Sequence, residues 1–142
     1  MSGFLLDTNV LSELIRPKPE PSVTSWLEKT DEDLLYLSVL TLGEIRKGIA
    51  ALPGAAWRAS LEAWLEKDLR DRFAGRILPV TEEIVDRWGQ MAGRSQLEKR
   101  ALPVIDGLLA ATAQHHNLVL VTRNVKDAVH TGIELFNPWK TS

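Results

Sequence analysis

The chain has 142 residues, 44% hydrophobic and 25% charged, a composition that fits an ordinary globular protein and excludes a disordered tail or a membrane bundle. Its 17 Lys/Arg against 19 Asp/Glu leave a net charge of −2, so no global basic field gathers nucleic acid by counterion release and any polyanion must be held locally. No cysteine is present, which removes disulfides and thiolate metal sites. A chain of this length without a tandem period predicts one domain over residues 1–142. The N-terminus lacks the basic and apolar regions of a secretion signal, and no apolar run nears the roughly 20 residues that cross a bilayer. The expectation is a cytoplasmic protein with no membrane span.

In chain order, the apolar run Gly3–Leu6 predicts a first strand that stops at Asp7-Thr8-Asn9. Helical patterns follow at Val10–Arg16 and Val23–Lys29, separated by "RPKPEPS", whose closely spaced prolines predict a rigid surface loop. Leu35–Leu40 predicts the second strand, with helices over Thr41–Leu52 and Ala56–Phe73 behind it. In the latter, Trp57, Leu61, Trp64, Leu65 and Phe73 recur at helical spacing, which suits a core face or, less commonly, an exposed partner groove. Arg76–Val80 predicts a third strand, Glu82–Arg100 and Ile105–His116 two more helices, Leu118–Thr122 a fourth strand and Ile133–Phe136 a weaker fifth. The strand runs lack strict apolar/polar alternation, as strands buried on both faces do, so the pattern predicts an α/β fold with a parallel sheet covered by helices.

Open α/β sheets bind ligands beyond the carboxyl ends of their strands, at a topological switch point. Asp7 directly follows the first run, Glu44 follows the second in "SVLTLGEIRKGI", and "VTRNVKD" follows the fourth. Asp106 stands near the start of a helix that leads back into the fourth strand, which puts it at the same edge. Each acid has an ordinary structural explanation. Asp7-Thr8-Asn9 fits an Asx-type cap, Thr41-Leu42-Gly43-Glu44 fits a capping box in which Glu44 reaches back to the Thr41 amide, and Asp106 fits a helix-start dipole partner. Independent caps have no reason to converge from distant segments on one edge, and the convergence favours a site. Oxygen donors without imidazole or thiolate suit a hard cation, Mg²⁺ or Mn²⁺ in its place. Such a cation also relieves the repulsion among packed carboxylates. The reaction class this chemistry serves is metal-dependent phosphodiester hydrolysis.

The segments "DTNVLSEL", "LTLGEIRKGI", "IDGLLAATA" and "LVLVTRNVKD", in this order, resemble the four signature segments of PIN-domain ribonucleases, specifically the VapC-type toxins and their FitB-like branch, from about Phe4 to Trp139. The resemblance implies a PIN-like parallel sheet sandwiched by helices and a Mg²⁺-dependent endoribonuclease acting on RNA. It further implies a homodimer, a small cognate antitoxin, and DNA contacted only through that antitoxin. It matches Asp7, Glu44 and Asp106 to the metal-binding acids. Asn124 stands where aspartate often follows "TR", so Asn124 ligates through its carbonyl or orients water, or Asp127 three residues on supplies the missing charge. By the same resemblance Thr122 orients water or an acid and Asn9 supports Asp7. Thr8 is expected only to cap. Arg46 and Arg123 flank the expected cleft as candidate phosphate grips.

His115 and His116, adjacent in a helix and diverging by about 100°, are not expected to form a joint ligand pair, and the helix dipole is the better account of them. His130 has no assigned role, and the serines have no identifiable His/Asp partners, which leaves a hydrolase triad without support. Two other functional classes remain open: a catalytically inactive PIN fold that binds a partner through the Trp57–Trp64 helix, and a receiver-like Mg²⁺-binding signalling domain. The receiver needs a second acid beside the one after the first strand, and Thr8 stands there instead.

Overall fold

The computed structural model describes residues 3–140. Five strands, β1 (Phe4–Leu6), β2 (Leu35–Ser38), β3 (Ile77–Leu78), β4 (Val119–Val121) and β5 (Leu135–Phe136), form one parallel sheet in the order β3-β2-β1-β4-β5. The chain builds outward from β1 through β2 to β3, then crosses back to β4 on the other side of β1. That reversal makes the gap between β1 and β4 the switch point, where a crevice opens at the carboxyl edge.

Helices cover both faces. Along β1, Leu6 packs into a core with Val10, Leu11, Leu37, Leu42, Leu65 and Phe73, while Leu5 packs the opposite way with Leu109, Ala113, Leu118 and Leu120. Successive strand side chains point to opposite faces, and here both faces are dry, which is why the runs read as continuously apolar. Gly3 enters β1 at φ +129°, and a Cβ there would stand 2.5 Å from the Leu34 carbonyl oxygen, so only glycine lets the strand start this close to its neighbour.

Short helices connect the strands: α1 (Thr8–Glu13), α2 (Pro21–Lys29), α3 (Val39–Ala50), α4 (Ala55–Ala63), the single turn α5 (Arg70–Arg72), α6 (Glu82–Leu97) and α7 (Val104–His116). Pro21 is the first residue of α2 rather than part of a free loop, the position where its missing N–H costs nothing. The second strand stops at Ser38, two residues short of the Leu35–Leu40 expectation, because the Ser38 hydroxyl accepts from the Leu40 amide at 3.0 Å and starts α3 at Val39. Thr41 is therefore inside the helix, fully buried, with Oγ1 unbonded among the described residues, and the capping box centred on it does not form.

The long helix expected over Ala56–Phe73 is interrupted by a π-helical stretch at Trp64–Leu69. A repeat of four drifts around a regular α-helix, and the wider turn brings it back, keeping Leu61, Leu65, Leu69 and Phe73 all buried on one side. The core reading of this stripe holds except at Trp57, which is 51% exposed.

Candidate active site

The sheet's carboxyl edge opens into a cleft of about 390 Å³ lined by Asp7, Thr8, Asn9, Ser12, Glu13, Arg16, Glu44, Asp106, Arg123, Asn124 and Trp139. Asp7 ends β1 and caps α1: one carboxylate oxygen accepts from the Thr8 amide at 2.7 Å. The other accepts from the Thr122 hydroxyl at 2.7 Å and from Asn9 Nδ2 at 3.5 Å. The capping explanation and the site explanation of Asp7 are both true at once. Thr122, 2% exposed at the end of β4, also receives the Asn124 amide at 3.0 Å, so one hydroxyl ties the loop after β4 to the acid after β1.

Glu44 reaches the cleft from the second turn of α3, the early start at Val39 having placed it there. Its Oε1 accepts a 2.6 Å hydrogen bond from the Thr8 hydroxyl, so Thr8 holds an acid rather than capping α1. Asp106 sits in the first turn of α7. Behind it, Gly107 lets the Trp88 indole of α6 press on the helix: a Cβ at Gly107 would stand 2.8 Å from Trp88 Cδ1.

Electrostatics mark the same acids. Burial pushes the Asp7 carboxyl above its ordinary pKa, the Thr122 and Thr8 hydrogen bonds pull it back, and the Glu44 charge raises it further. Asp106 is likewise raised, first by burial and then by the charges of Asp7, Asp127 and Glu44. Carboxylates that repel one another across a cleft are what a cation relieves, and an all-oxygen donor set fits a hard divalent ion. Among the described residues, no group of three or more such side chains is drawn tightly enough to hold an ion alone.

Asp127, in the short 3-10 turn Val125–Asp127, does not line the cleft, though its charge is felt at Asp106. Arg46 is not brought to the cleft: it lies two residues beyond Glu44 on a different side of α3, paired with Glu66 at 2.7 Å and Glu62 at 3.6 Å. Arg123 is in the cleft, its amide donating to Asn9 Oδ1 at 3.4 Å. Sequence reasoning missed Glu13, Arg16 and Trp139. Glu13 and Arg16 follow Asp7 closely in the chain but not at a spacing that marks one helix face, and Trp139 is placed only by the docking of β5.

The histidines stay away from this edge. His115 and His116 sit at the end of α7 that leads into the start of β4, with rings edge to face at 4.9 Å, closer than their helical divergence predicts. Burial, and then His115, lower the His116 pKa. His130 Nε2 stands 3.0 Å from Ser95 Oγ, an unexpected pair, but among the described residues no carboxylate is hydrogen-bonded to that ring to complete a triad.

The PIN domain family model matches residues 4–128. The chain is 36% identical over 136 residues to Toxin FitB of Neisseria gonorrhoeae, spanning 96% of this chain and 98% of the relative. It is 32% identical over 137 residues to VapC ribonuclease Y4jK of Sinorhizobium fredii, again spanning 96% and 98%. The fold is similar to that in the crystal structure of FitAcB from Neisseria gonorrhoeae, with a TM-score of 0.93 and 36% identity over 97% of this chain and 99% of that one. Fold, cleft and relatives agree: the chain belongs to the PIN domain family.

Proposed function

We propose that the chain is the toxin of a type II toxin–antitoxin pair, an endoribonuclease that hydrolyses RNA phosphodiester bonds with Mg²⁺ at Asp7, Asp106 and Glu44. The observation that carries this reading is the convergence of these acids, from the end of β1, the second turn of α3 and the first turn of α7, on one cleft where Asp7 and Asp106 are both raised in pKa. PIN-domain ribonucleases are generally divalent-metal dependent, and Mn²⁺ is a plausible substitute for Mg²⁺ here. The receiver-like alternative loses its ground with the family membership and with Thr8, not a second acid, beside Asp7.

A divalent cation held by Asp7, Asp106 and Glu44 would supply Lewis-acid stabilisation of phosphate charge and a stronger water nucleophile. The chain's own residues do the rest. Thr122 and the Thr8 amide fix the Asp7 carboxylate, leaving Asn9 as a weaker third contact. Thr8 aims Glu44 across the cleft. Asn124 lines the cleft and orients water there, and the Asp127 charge is felt at Asp106. Arg123 is the phosphate contact. Arg46, which does not line the cleft, is dropped from that role.

The same reading gives a cytoplasmic, homodimeric toxin silenced by a small cognate antitoxin, with operator DNA contacted through the antitoxin. A net charge of −2 supports that division of labour, and no described helix is long and apolar enough to cross a membrane. The test is cleavage of labelled RNA by antitoxin-free protein with Mg²⁺, with EDTA, and as Asp7→Asn or Asp106→Asn. Cleavage that needs the metal and both carboxylates is expected, and metal-independent cleavage, or cleavage that survives both substitutions, sinks the proposal.

A further inference from the structure

Besides the three acids and Arg123, the cleft is lined by Glu13, Arg16 and Trp139, which the chemistry above does not use. Glu13 is 2% exposed, and its carboxylate accepts from Arg16 Nη1 at 2.7 Å and from the Glu20 amide at 3.0 Å. Burial pushes the Glu13 carboxyl up, but the Glu20 amide, the Arg16 guanidinium and the Trp139 indole together hold it below its ordinary value. Trp139 is itself fixed, its amide donating to Asn137 Oδ1 at 2.9 Å. Over its ring lies the Arg123 guanidinium, 5.4 Å from the centroid, while the Asn137 side-chain amide reaches the Arg123 carbonyl at 3.5 Å. Glu13 thus anchors Arg16, and Trp139 anchors Arg123.

We propose that Arg16, Arg123 and Trp139 form the RNA grip of this cleft, the two guanidiniums holding phosphates next to the scissile one and the Trp139–Arg123 stack supporting a base. The inference rests on the nuclease reading and adds the substrate contacts to it. Three physical points carry it. A chain of net charge −2 must hold a polyanion with local cations, and these two arginines share the cleft with the acids. A guanidinium already held by a carboxylate or an indole loses less freedom on meeting phosphate than a free side chain does. Single-stranded RNA is held by stacking on aromatic and guanidinium planes, which tolerates any base. Glu13, hydrogen-bonded to Arg16 at 2.7 Å, serves to position that arginine.

The test uses the full chain in the Asp106→Asn background, so that RNA is bound without being consumed. A fluorescein-labelled single-stranded RNA of about 12 nucleotides is titrated by anisotropy at several salt concentrations. Arg16→Ala and Arg123→Ala are each expected to weaken binding about tenfold. Each lost phosphate contact should reduce the salt slope by about 0.7. Trp139→Ala should weaken binding by a similar factor and Trp139→Phe should restore most of it, with thermal melting confirming that the variants fold. Both arginines are exposed, so the double variant Arg16→Ala/Arg123→Ala tests the grip even if Trp139→Ala does not fold. In the cleaving chain the arginine substitutions should raise KM and leave kcat nearly unchanged.

Unchanged RNA binding by the double variant overturns the proposal, as does a loss confined to kcat. A loss of antitoxin binding with RNA binding intact also overturns it, by assigning these residues to the antitoxin. The two readings fail separately. A chain that cuts RNA yet binds it normally without these arginines loses the grip alone, and a chain that binds RNA through them but never cuts it loses the nuclease reading alone.

Discussion

Two concavities of this molecule are lined with carboxylates, and the larger one is not the site. A hollow of about 800 Å³ against α6 carries Glu82, Glu83 and Asp86, with Arg87, Arg94 and Gln114 among them. Its acids come from consecutive turns of one helix, stand in solvent beside arginines, and include Glu83, whose pKa is lowered by its own backbone amide and the Thr81 hydroxyl. The cleft at the strand ends has about half the volume, yet its acids come from three separate segments and two of them are raised by burial and mutual repulsion. One arrangement is a solvated helix start that favours negative charge; the other makes charge costly and would gain from a cation. Volume and carboxylate count do not distinguish them. Origin and environment do.

The comparison is broken or sharpened first by neutralisation. Asp7→Asn and Asp106→Asn should each reduce kcat for RNA cleavage about a hundredfold or more, the scale at which transition-state charge stabilisation is lost. Neutralising Glu82, Glu83 and Asp86 together should leave the rate unchanged in the same assay, and a rate loss there would erase the distinction. Next, Thr8→Val removes the hydrogen bond that aims Glu44 and should cost about tenfold in kcat, with Thr8→Ser near wild type. Third, saturating Mn²⁺ or Mg²⁺ should raise the melting temperature by roughly 5 °C, read by calorimetry, and Asp106→Asn should lose most of that rise.

The smallest effect is on pH dependence without metal. Asp106 is raised above its ordinary value of 3.8 in the folded chain, so the folded state binds this proton more tightly than the unfolded state does. Its stabilising contribution is therefore present below that value and fades as pH rises through the folded pKa. Metal-free Asp106→Asn should melt slightly higher than wild type at neutral pH, with the difference vanishing in acid. A variant that melts lower at neutral pH would show that Asp106 is already satisfied without a cation.

The strands were legible because burial on both faces writes an unbroken apolar run, and Asp7, Asn124 and Asp106 were legible because they sit at the ends of such runs or at the helix start beside one. Val39-Leu40 misled for the same reason: two apolar residues extend the β2 pattern, and only the Ser38 cap, a single hydroxyl, turns them into helix. The π-helical turn at Trp64–Leu69 was invisible because a repeat of four reads as ordinary helix. Side-chain partners across the fold were not legible at all. Nothing in "DTN" says that Thr8 reaches Glu44, and nothing near Arg46 says that it will pair with Glu62 and Glu66 of the next helices.

The Thr122–Asp7 hydrogen bond joins residues 115 positions apart, and it is the deepest tie in the cleft. During synthesis β1 emerges well before β4, so Asp7 is made long before the hydroxyl that fixes it. A growing or truncated chain that ends before Thr122 has the acids but not their arrangement. The lag between first strand and finished site follows from topology: Asp7 is fixed only once β4 has docked beside β1 and brought Thr122 to it.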